Sequence, residues 1–354
     1  MAHFLCHFAF TEDVSNPIKG CVDLAELLPF ICPSPEKGIY RPGKITLEGS
    51  GDLDIVLYHS DAIAKFMYMR TSPVDANLMD IIGLSTAEIA GLTNLSLPGQ
   101  LCLGSERAKI SGHAIMDVLA SPALPSTISN HKQHNLAVFP IAREGLKYQV
   151  AEAIFENYGF YCDEVVLDAH HVFDSSVPVY NRKVEMTLFK DKDLDKLQRE
   201  NVRVAFLADS IASGLVLTEV IAKVKERFAH IERVEVIAPL ATVRGLCRIA
   251  QCEVSKDVSV RVHVFETLLN ALPPDYYYSA HFNIPEFHMQ PGLEQAYRRW
   301  WGEDSHGHAI ADTACAGYGW SEAFYSPRKQ IQMMNSQLES RHHLTIADIV
   351  RRNL

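Results

Sequence analysis

The middle of the chain alternates between short apolar runs and longer stretches that have the spacing of amphipathic helices. The apolar runs predict buried strands at residues 136–142, 162–168, 202–208, 234–240 and 258–265. Helical patterns between them lie at residues 147–158, 215–228 and 244–250. Strands that alternate with helices of this length indicate βαβ units and a parallel sheet buried on both faces. In such sheets, ligands bind at the carboxyl ends of the strands.

The two flanks differ from this central pattern. Residues 1–53 contain five prolines and a glycine-rich patch at 49–51, which predict an irregular extension with one short helix near Asp23. Towards the other end, Ser326-Pro327 and Thr345 have the residue types that favour helix starts. They predict two helices near the C-terminus.

Composition and charge limit the class of protein. The chain has 354 residues, of which 47% are hydrophobic and 21% charged, as in an ordinary globular protein. Its 43 acidic and 33 basic side chains give a net charge of -10, which disfavours binding to a nucleic-acid backbone. No run approaches the roughly 20 apolar residues of a membrane helix, and the N-terminus lacks the features of a signal peptide. We expect a cytoplasmic protein with no nucleic-acid or membrane partner.

Cysteine and histidine spacing gives no sign of a metal or disulfide framework. The eight cysteines are scattered and contain no C-x-x-C pair, which predicts reduced thiols in the core. His306, His308 and Cys315 lie near one another in sequence, but a structural zinc site needs a second pair of ligands, which is missing here. We predict no metal site formed by protein side chains.

One apparent phosphate motif is a false match. Residues 38–44 have the spacing of a nucleotide-binding P-loop, but Ile45 stands where that motif needs a magnesium-binding Ser or Thr. No apolar strand precedes the segment. We predict that it does not bind phosphate.

A better phosphate candidate is segment 208–214, which follows a predicted strand and opens a predicted helix. The hydroxyls of Ser210 and Ser213, and the missing side chain of Gly214, allow a phosphate to approach the backbone N–H groups there. Asp209 has the chemistry to bind sugar hydroxyls, or a metal shared with the ligand. A helix cap built from small residues is the alternative interpretation.

A second loop, at residues 139–146, follows the first predicted strand. Arg143 lies there between the strand end and a glycine-containing helix start. This position suits a pyrophosphate, because a guanidinium donates two parallel hydrogen bonds and the neighbouring amides are available. A surface charge is the alternative.

Taken together, these loops resemble those of the type I phosphoribosyltransferase family, in particular its uracil phosphoribosyltransferase branch. Residues 139–146 are similar to the pyrophosphate loop V-P-I-L-R-A-G-L, and residues 209–214 to the ribose-phosphate loop, whose forms include D-D-I-I-A-T-G-G. Residues 290–302 align without a gap on V-P-G-L-G-D-A-G-D-R-Y-F-G, the uracil-binding loop. Three further segments match in the same order along the chain: 59–70, 240–245 and 265–270.

The resemblance implies a fold and an activity. The fold is α/β, with a parallel sheet flanked by helices and a small hood, over residues 54–302. An N-terminal extension, 1–53, and a C-terminal helical extension, 303–354, flank it. The activity is transfer of a 5-phosphoribosyl group from phosphoribosyl pyrophosphate (PRPP) to a ring nitrogen of a uracil-like or other heterocyclic base, with release of pyrophosphate. Mg²⁺ bound through PRPP is the implied cofactor, and a homodimer is the implied assembly.

The resemblance also implies the residues of the site. Arg143 is expected to act catalytically at the pyrophosphate, and Asp209 at the ribose. The residues implied to bind PRPP are Arg70, Arg143, Glu144, Gly145, Arg182, Asp209, Ser210, Ile211, Ala212, Ser213 and Gly214. Those implied to bind the base are Met289, Gln290, Pro291, Gly292, Leu293, Glu294 and Gln295.

The chain departs from the family pattern at working positions. Ala208 replaces the first acid of the acidic pair, and Leu215 replaces the second glycine of the phosphate loop. In the base loop, Glu294-Gln295 and Tyr297-Arg298 each replace Gly-Asp. Such changes alter which base a pocket accepts, because buried polar groups left unpaired reject the wrong ligand. The alternatives are a transferase for another heterocycle and a catalytically weak or inactive homologue that acts as a nucleotide-binding regulator.

Overall fold

The structure of the protein is a computed structural model. It describes residues 5–8, 20–23, 40–45, 53–58, 60–67, 69–73, 76–90, 94–98, 104–121, 124, 127–128, 135–142, 144–176, 182–188, 201–252, 254–265, 268–269, 299–307, 310 and 326–353. No helix within these ranges has the length and apolar character needed to cross a membrane.

Strands and helices alternate through the described part of the chain. The strands are β1 (Leu5–Phe8), β2 (Gly20–Asp23), β3 (Tyr40–Ile45), β4 (Leu53–Tyr58), β5 (Met69–Pro73), β6 (Asn94–Pro98), β7 (Leu136–Ala142), β8 (Asp163–Glu164), β9 (Leu167–Phe173), β10 (Arg182–Leu188), β11 (Val204–Ala208), β12 (Arg233–Ala238), β13 (Ala241–Thr242), β14 (Ser259–Phe265) and β15 (Leu268–Leu269). The α-helices are α1 (Asp61–Met67), α2 (Ala76–Ile82), α3 (Thr86–Ala90), α4 (Gly104–Leu119), α5 (Val150–Tyr158), α6 (Leu215–Arg227), α7 (Val243–Gln251), α8 (Val254–Asp257), α9 (Pro327–His342) and α10 (Ile346–Arg352).

The main sheet is parallel at its centre. Its strand order is β10-β9-β7-β11-β12-β14-β4-β3, with β8 paired beside β7. The pairings from β9 through β4 are parallel, whereas β10 and β3 add antiparallel edges. Helices cover both faces, so the predicted class, an α/β parallel sheet flanked by helices, is confirmed.

The apolar runs explain why the central strands are buried on both faces. In β7 the side chains of residues 136–141 are all buried. Ala137 and Phe139 belong to the core that includes α6 and α7, whereas Leu136 and Val138 belong to the core that includes α1, α4 and α5. Successive side chains of a strand point to opposite faces, so an unbroken apolar run serves both cores.

A third buried cluster joins α2 to the C-terminal helices. It contains Met79 of α2, Trp301, Met334 of α9 and Ile349 of α10. The two helix starts are where the sequence predicts them, at Pro327 and at Ile346. The domain boundaries stay predictions.

Two local predictions meet the structure only in part. Of the region near Asp23 where a short helix is predicted, Gly20–Asp23 form β2, which pairs antiparallel with β1, and the residues after Asp23 lie outside the described ranges. The helix predicted over 147–158 is split: a 3₁₀ helix covers Gly145–Tyr148, and α5 begins only at Val150. Gln149 separates them because its left-handed backbone, at φ 51, cannot continue a right-handed helix.

The structure bears on two other sequence interpretations. Residues 40–44 of the false P-loop segment, together with Ile45, lie in β3, an extended strand and not a loop that opens a helix. Cys162 and Cys252 are free thiols, but both are half-buried and do not lie in the core. Burial raises the pKa of the Cys162 thiol to about 12, so this thiol is protonated and unreactive at neutral pH.

Candidate functional site

The candidate site lies where β7 and β11 end side by side. The two strands are parallel, with Pro140 in register with Ala208, so the loops that follow them emerge at the same edge of the sheet. Gly145, at the start of the 3₁₀ helix after β7, lies directly against the end of β11. A Cβ atom on Gly145 would overlap the carbonyl oxygen of Ala208. Only a residue without a side chain allows the two loops to come this close.

Three side-chain oxygens meet where these loops touch. Tyr148 Oη donates a hydrogen bond to Glu144 Oε1 at 2.5 Å, and Ser210 Oγ donates to the same oxygen at 2.7 Å. The hydroxyl oxygens of Tyr148 and Ser210 are themselves 2.6 Å apart. We call this group, Glu144, Tyr148 and Ser210, the carboxyl triangle. It ties the 3₁₀ helix to the loop after β11.

Burial dominates the electrostatics of the two carboxyl groups at this site. It raises the pKa of Glu144 to about 7, although the hydrogen bonds from Tyr148 and Ser210 and the charges of Lys147 and Arg107 lower it. Burial, and then the nearby Glu144, raise the pKa of Asp209 well above its ordinary range. The site therefore contains two neighbouring carboxyl groups whose pKa values are both raised, mainly by burial.

The loop after β11 leads into the N-terminus of α6. Gly214 precedes the first turn with φ 76, a left-handed conformation that favours glycine. A Cβ atom on Gly214 would lie 2.5 Å from the carbonyl oxygen of Gly245. The Ser213 side chain is buried and accepts a hydrogen bond from the Leu215 amide at 3.4 Å. The first-turn N–H groups and the positive end of a helix are features that stabilise anions in general.

Residues that follow β12 contact the loop between β11 and α6 and support it. The Ile211 amide donates to the Leu240 carbonyl at 2.8 Å, and the Thr242 amide donates to the Ile211 carbonyl at 2.9 Å. Thr242 Oγ1 donates to the Ala212 carbonyl, and Arg248 Nη1 donates to the Ser213 carbonyl at 2.8 Å. These bonds fix the backbone of residues 211–213 in one conformation.

Comparisons with known proteins give structural similarity and no family assignment. No family model matches the chain, and no curated protein matches it. Its structure is similar to that of an adenine phosphoribosyltransferase from Trypanosoma brucei in complex with AMP, pyrophosphate and ribose-5-phosphate. The identity is 12% and the TM-score 0.34, over 60% of this chain and 83% of that chain.

Two further solved structures are similar at the same level. One is a hypoxanthine phosphoribosyltransferase from Staphylococcus aureus, with 12% identity and a TM-score of 0.30, over 51% of this chain and 90% of that one. The other is an orotate phosphoribosyltransferase from Francisella tularensis, with 15% identity and a TM-score of 0.25, over 47% and 66%. Similarities of this size do not assign an activity, so the function has to be inferred from the residues of the site.

The structure brings together the predicted residues of the two loops. Glu144 and Gly145 follow β7, and residues 209–214 lie between β11 and α6. Arg143 and the predicted base-binding residues 289–295 lie outside the described residues. Arg70 lies in β5 and Arg182 at the start of β10, and the described side chains do not include theirs. Their places in a binding site stay predictions.

Three residues at the site are missing from the sequence prediction. Tyr148 lies four residues after Glu144, a spacing that brings side chains together on a helix. The hydrophobic pattern predicts a helix only from residue 147, so the contact between Glu144 and Tyr148 is not predicted from the sequence. Lys147 and the fully buried Arg107 of α4 supply positive charge near Glu144. Neither belongs to a recognisable motif, so the sequence gives no signal for them.

Proposed function

We propose that the chain is a phosphoribosyltransferase that transfers a 5-phosphoribosyl group from PRPP to a ring nitrogen of a heterocyclic base and releases pyrophosphate. The observation that carries this proposal is the meeting of two loops at the carboxyl ends of neighbouring parallel strands. One loop contains Glu144 and Gly145; the other contains Asp209 and Ser210 and leads directly into α6. This is the place where parallel α/β sheets bind ligands.

The site has suitable groups for each part of PRPP. The N–H groups at the start of α6 suit the 5-phosphate. Asp209 follows the end of β11, where a carboxylate can accept hydrogen bonds from ribose hydroxyls. Arg143 follows β7 in the sequence and is assigned the pyrophosphate, because a guanidinium binds phosphate oxygens in pairs.

The proposed reaction breaks the bond between ribose C1 and a pyrophosphate oxygen and forms a bond between C1 and the base nitrogen. Positive charge develops on the ribose, and negative charge on the leaving pyrophosphate. The protein contributes by holding the reactants in line and by placing Asp209 near the ribose and Arg143 near the leaving group. Mg²⁺, carried on the phosphate oxygens of PRPP, would neutralise part of the leaving group's charge.

The acceptor base is the open part of the proposal. The resemblance points to a uracil-like base, whereas Glu294 and Gln295 replace the small and acidic residues of the family's base loop. A polar pair at this position favours a heterocycle with a different pattern of donors and acceptors from uracil. A homodimer is proposed on the same resemblance.

Pyrophosphate release from PRPP and Mg²⁺, measured across a panel of pyrimidine and purine bases, tests the proposal. We expect release with at least one base. Asp209→Asn and Arg143→Ala should each lower kcat/KM by about 100-fold or more while leaving the melting temperature close to that of the wild type. Exposed Asp163 and Arg328 offer matched controls, Asp163→Asn and Arg328→Ala, which should leave turnover unchanged. Absence of release with every base would contradict the proposal.

The second candidate is a nucleotide-binding regulator that has lost turnover. Two positions favour it: Ala208 ends β11 where the family has an acid, and Leu215 opens α6 where the family has a glycine. In the same experiment, binding of nucleotides or PRPP without release of pyrophosphate would support the regulator and exclude the enzyme.

A further inference from the structure

When Glu144 is ionised, the carboxyl triangle has three oxygen–oxygen contacts but only two hydrogens to form hydrogen bonds. Its three oxygens lie 2.5, 2.6 and 2.7 Å from one another, all within the range of O–H···O hydrogen bonds. With Glu144 ionised, Tyr148 and Ser210 bring two hydrogens, both directed at Glu144. The contact between the two hydroxyl oxygens would then have no hydrogen. A proton on Glu144 Oε1 allows a cyclic arrangement: Glu144 donates to one hydroxyl, that hydroxyl donates to the other, and the second donates back to Glu144. Each of the three contacts is then a hydrogen bond.

The surroundings of Glu144 are consistent with that proton. Arg107 from α4 and Lys147 from the 3₁₀ helix favour the ionised form of Glu144, whereas burial favours the neutral form. The sum is a pKa of about 7 for Glu144. Glu144 in turn raises the pKa of Asp209. Asp209 competes for the same proton, but its Oδ1 already accepts the Ser210 amide at 2.9 Å. The contact that lacks a hydrogen lies in the carboxyl triangle, to which Glu144 belongs and Asp209 does not. The geometry therefore assigns the proton to Glu144.

An ionised Glu144 would weaken the binding of PRPP by electrostatic repulsion. It follows Arg143, at the loop assigned to pyrophosphate, and its partner Ser210 belongs to the loop assigned to the ribose and 5-phosphate. A negative carboxylate between these positions repels a polyanion. A neutral carboxyl removes the repulsion and keeps the two loops joined through Tyr148 and Ser210.

We infer that Glu144 is a proton-controlled positioning residue, and that the site binds PRPP in the form in which Glu144 is protonated. The inference rests on the proposed function. As the pH rises, the carboxyl O–H bond breaks and the proton passes to water, without any transfer of electrons. The resulting charge weakens PRPP binding and loosens the contact between the two loops. Substrate affinity is therefore regulated by pH around neutrality.

The test is the pH dependence of PRPP affinity, measured by calorimetric titration in the presence of Mg²⁺. If only the protonated form binds, a pKa of about 7 makes the wild-type affinity fall about 30-fold between about pH 6 and about pH 8.5. In Glu144→Gln, which cannot ionise, this fall should disappear. The ratio of the two proteins at each pH removes the contribution from ionisation of PRPP itself. Glu156→Gln, an exposed change on α5, is the matched control and should follow the wild type.

Three outcomes are distinguishable. A steeper pH profile in the wild type than in Glu144→Gln supports the inference. Equal profiles overturn the inference and leave the proposed function standing. Failure of both proteins to bind PRPP at either pH overturns the proposed function and, with it, the inference.

An infrared measurement on the ligand-free protein tests the protonation of Glu144 independently of PRPP binding. The wild type should show a carboxylic-acid C=O band that decreases as the pH rises through neutrality, and Glu144→Gln should lack that band. If Glu144→Gln does not fold, Asp209→Asn tests the proton instead: it removes the other carboxyl group with a raised pKa, so a titrating band that persists belongs to Glu144. A spectrum without a titrating carboxylic-acid band overturns the inference.

Discussion

The Cα atom of Gly145 lies against the carbonyl oxygen of Ala208, on the neighbouring parallel strand, so closely that no side chain fits between them. This contact holds the 3₁₀ helix that contains Tyr148 against the end of the strand that leads to Asp209. The position of the carboxyl triangle therefore depends on a glycine that takes no part in its hydrogen bonds. A change at this glycine tests the geometry of the site without removing any of its polar groups.

We predict that Gly145→Ala disrupts both the site and the stability of the protein. The added methyl group meets backbone atoms, which cannot rotate away, so the loops must separate. We expect a loss of about 3 kcal/mol or more in the free energy of unfolding, measured with urea. Gly112→Ala is the control: it lies inside α4 with only Gln149 Oε1 near, at 3.7 Å, and should stabilise the helix by up to about 1 kcal/mol. Equal stability of the two variants would contradict the predicted contact.

A second prediction concerns Gly214 at the start of α6. An alanine there combines an unfavourable φ of 76° with a Cβ atom 2.5 Å from the Gly245 carbonyl oxygen. Gly83→Ala separates these effects, because Gly83 has φ 95° and no atom within 4 Å of the added group. We expect Gly83→Ala to cost about 1–2 kcal/mol from backbone strain, and Gly214→Ala to cost more. Thermal unfolding with and without PRPP should show that only Gly214→Ala loses stabilisation by the ligand.

The sheet and its binding edge can be predicted from the sequence for a simple reason. A central parallel strand is buried on both faces, so it appears as an unbroken apolar run such as residues 136–142. Two such runs followed by small, polar and glycine residues place Gly145, Ser210 and Gly214 at one edge. The residue types in these short segments are therefore enough to predict the binding edge of the sheet.

The rest of the site depends on contacts that the sequence does not reveal. Arg107 lies on a helix far upstream in the chain, and only the packing of α4 against the sheet brings its charge near Glu144. The carboxyl triangle depends on the early start of the 3₁₀ helix at Gly145, which in turn depends on the close approach to Ala208. Hydrophobic periodicity does not specify a contact of this kind.

A third prediction is that Glu144 makes stability depend on pH. Its pKa is about 7 in the folded protein and ordinarily 4.5, so between these values the folded form holds a proton that the unfolded form has lost. The stabilisation is complete below about pH 4.5 and is lost as the pH rises through 7. Relative to the wild type, Glu144→Gln should therefore become more stable as the pH rises from about 5 to about 8. Urea unfolding of both proteins over this range measures the difference, and a constant difference would contradict the prediction.

The last prediction concerns a buried chain of polar groups that crosses β4, β14 and β12. The oxygen of Tyr58 lies 2.5 Å from His263 Nδ1, and His263 Nε2 lies 2.7 Å from Glu235 Oε2. A neutral His263 satisfies both contacts if Tyr58 donates to Nδ1 and Nε2–H donates to Glu235, whose other oxygen lies 3.7 Å from Arg233 Nη1. Removing the Tyr58 hydroxyl leaves the buried His263 Nδ1 without this hydrogen-bond partner.

We therefore expect Tyr58→Phe to lower the free energy of unfolding by about 1–3 kcal/mol, since a buried polar atom without a partner loses its hydration and regains nothing. Tyr161→Phe is the control, because the Tyr161 side chain is 68% exposed and water replaces its hydroxyl contacts. Its effect should stay within about 0.5 kcal/mol. Urea unfolding measures both variants, and an equally small effect at Tyr58 would show that the hydrogen bond to His263 contributes nothing to stability.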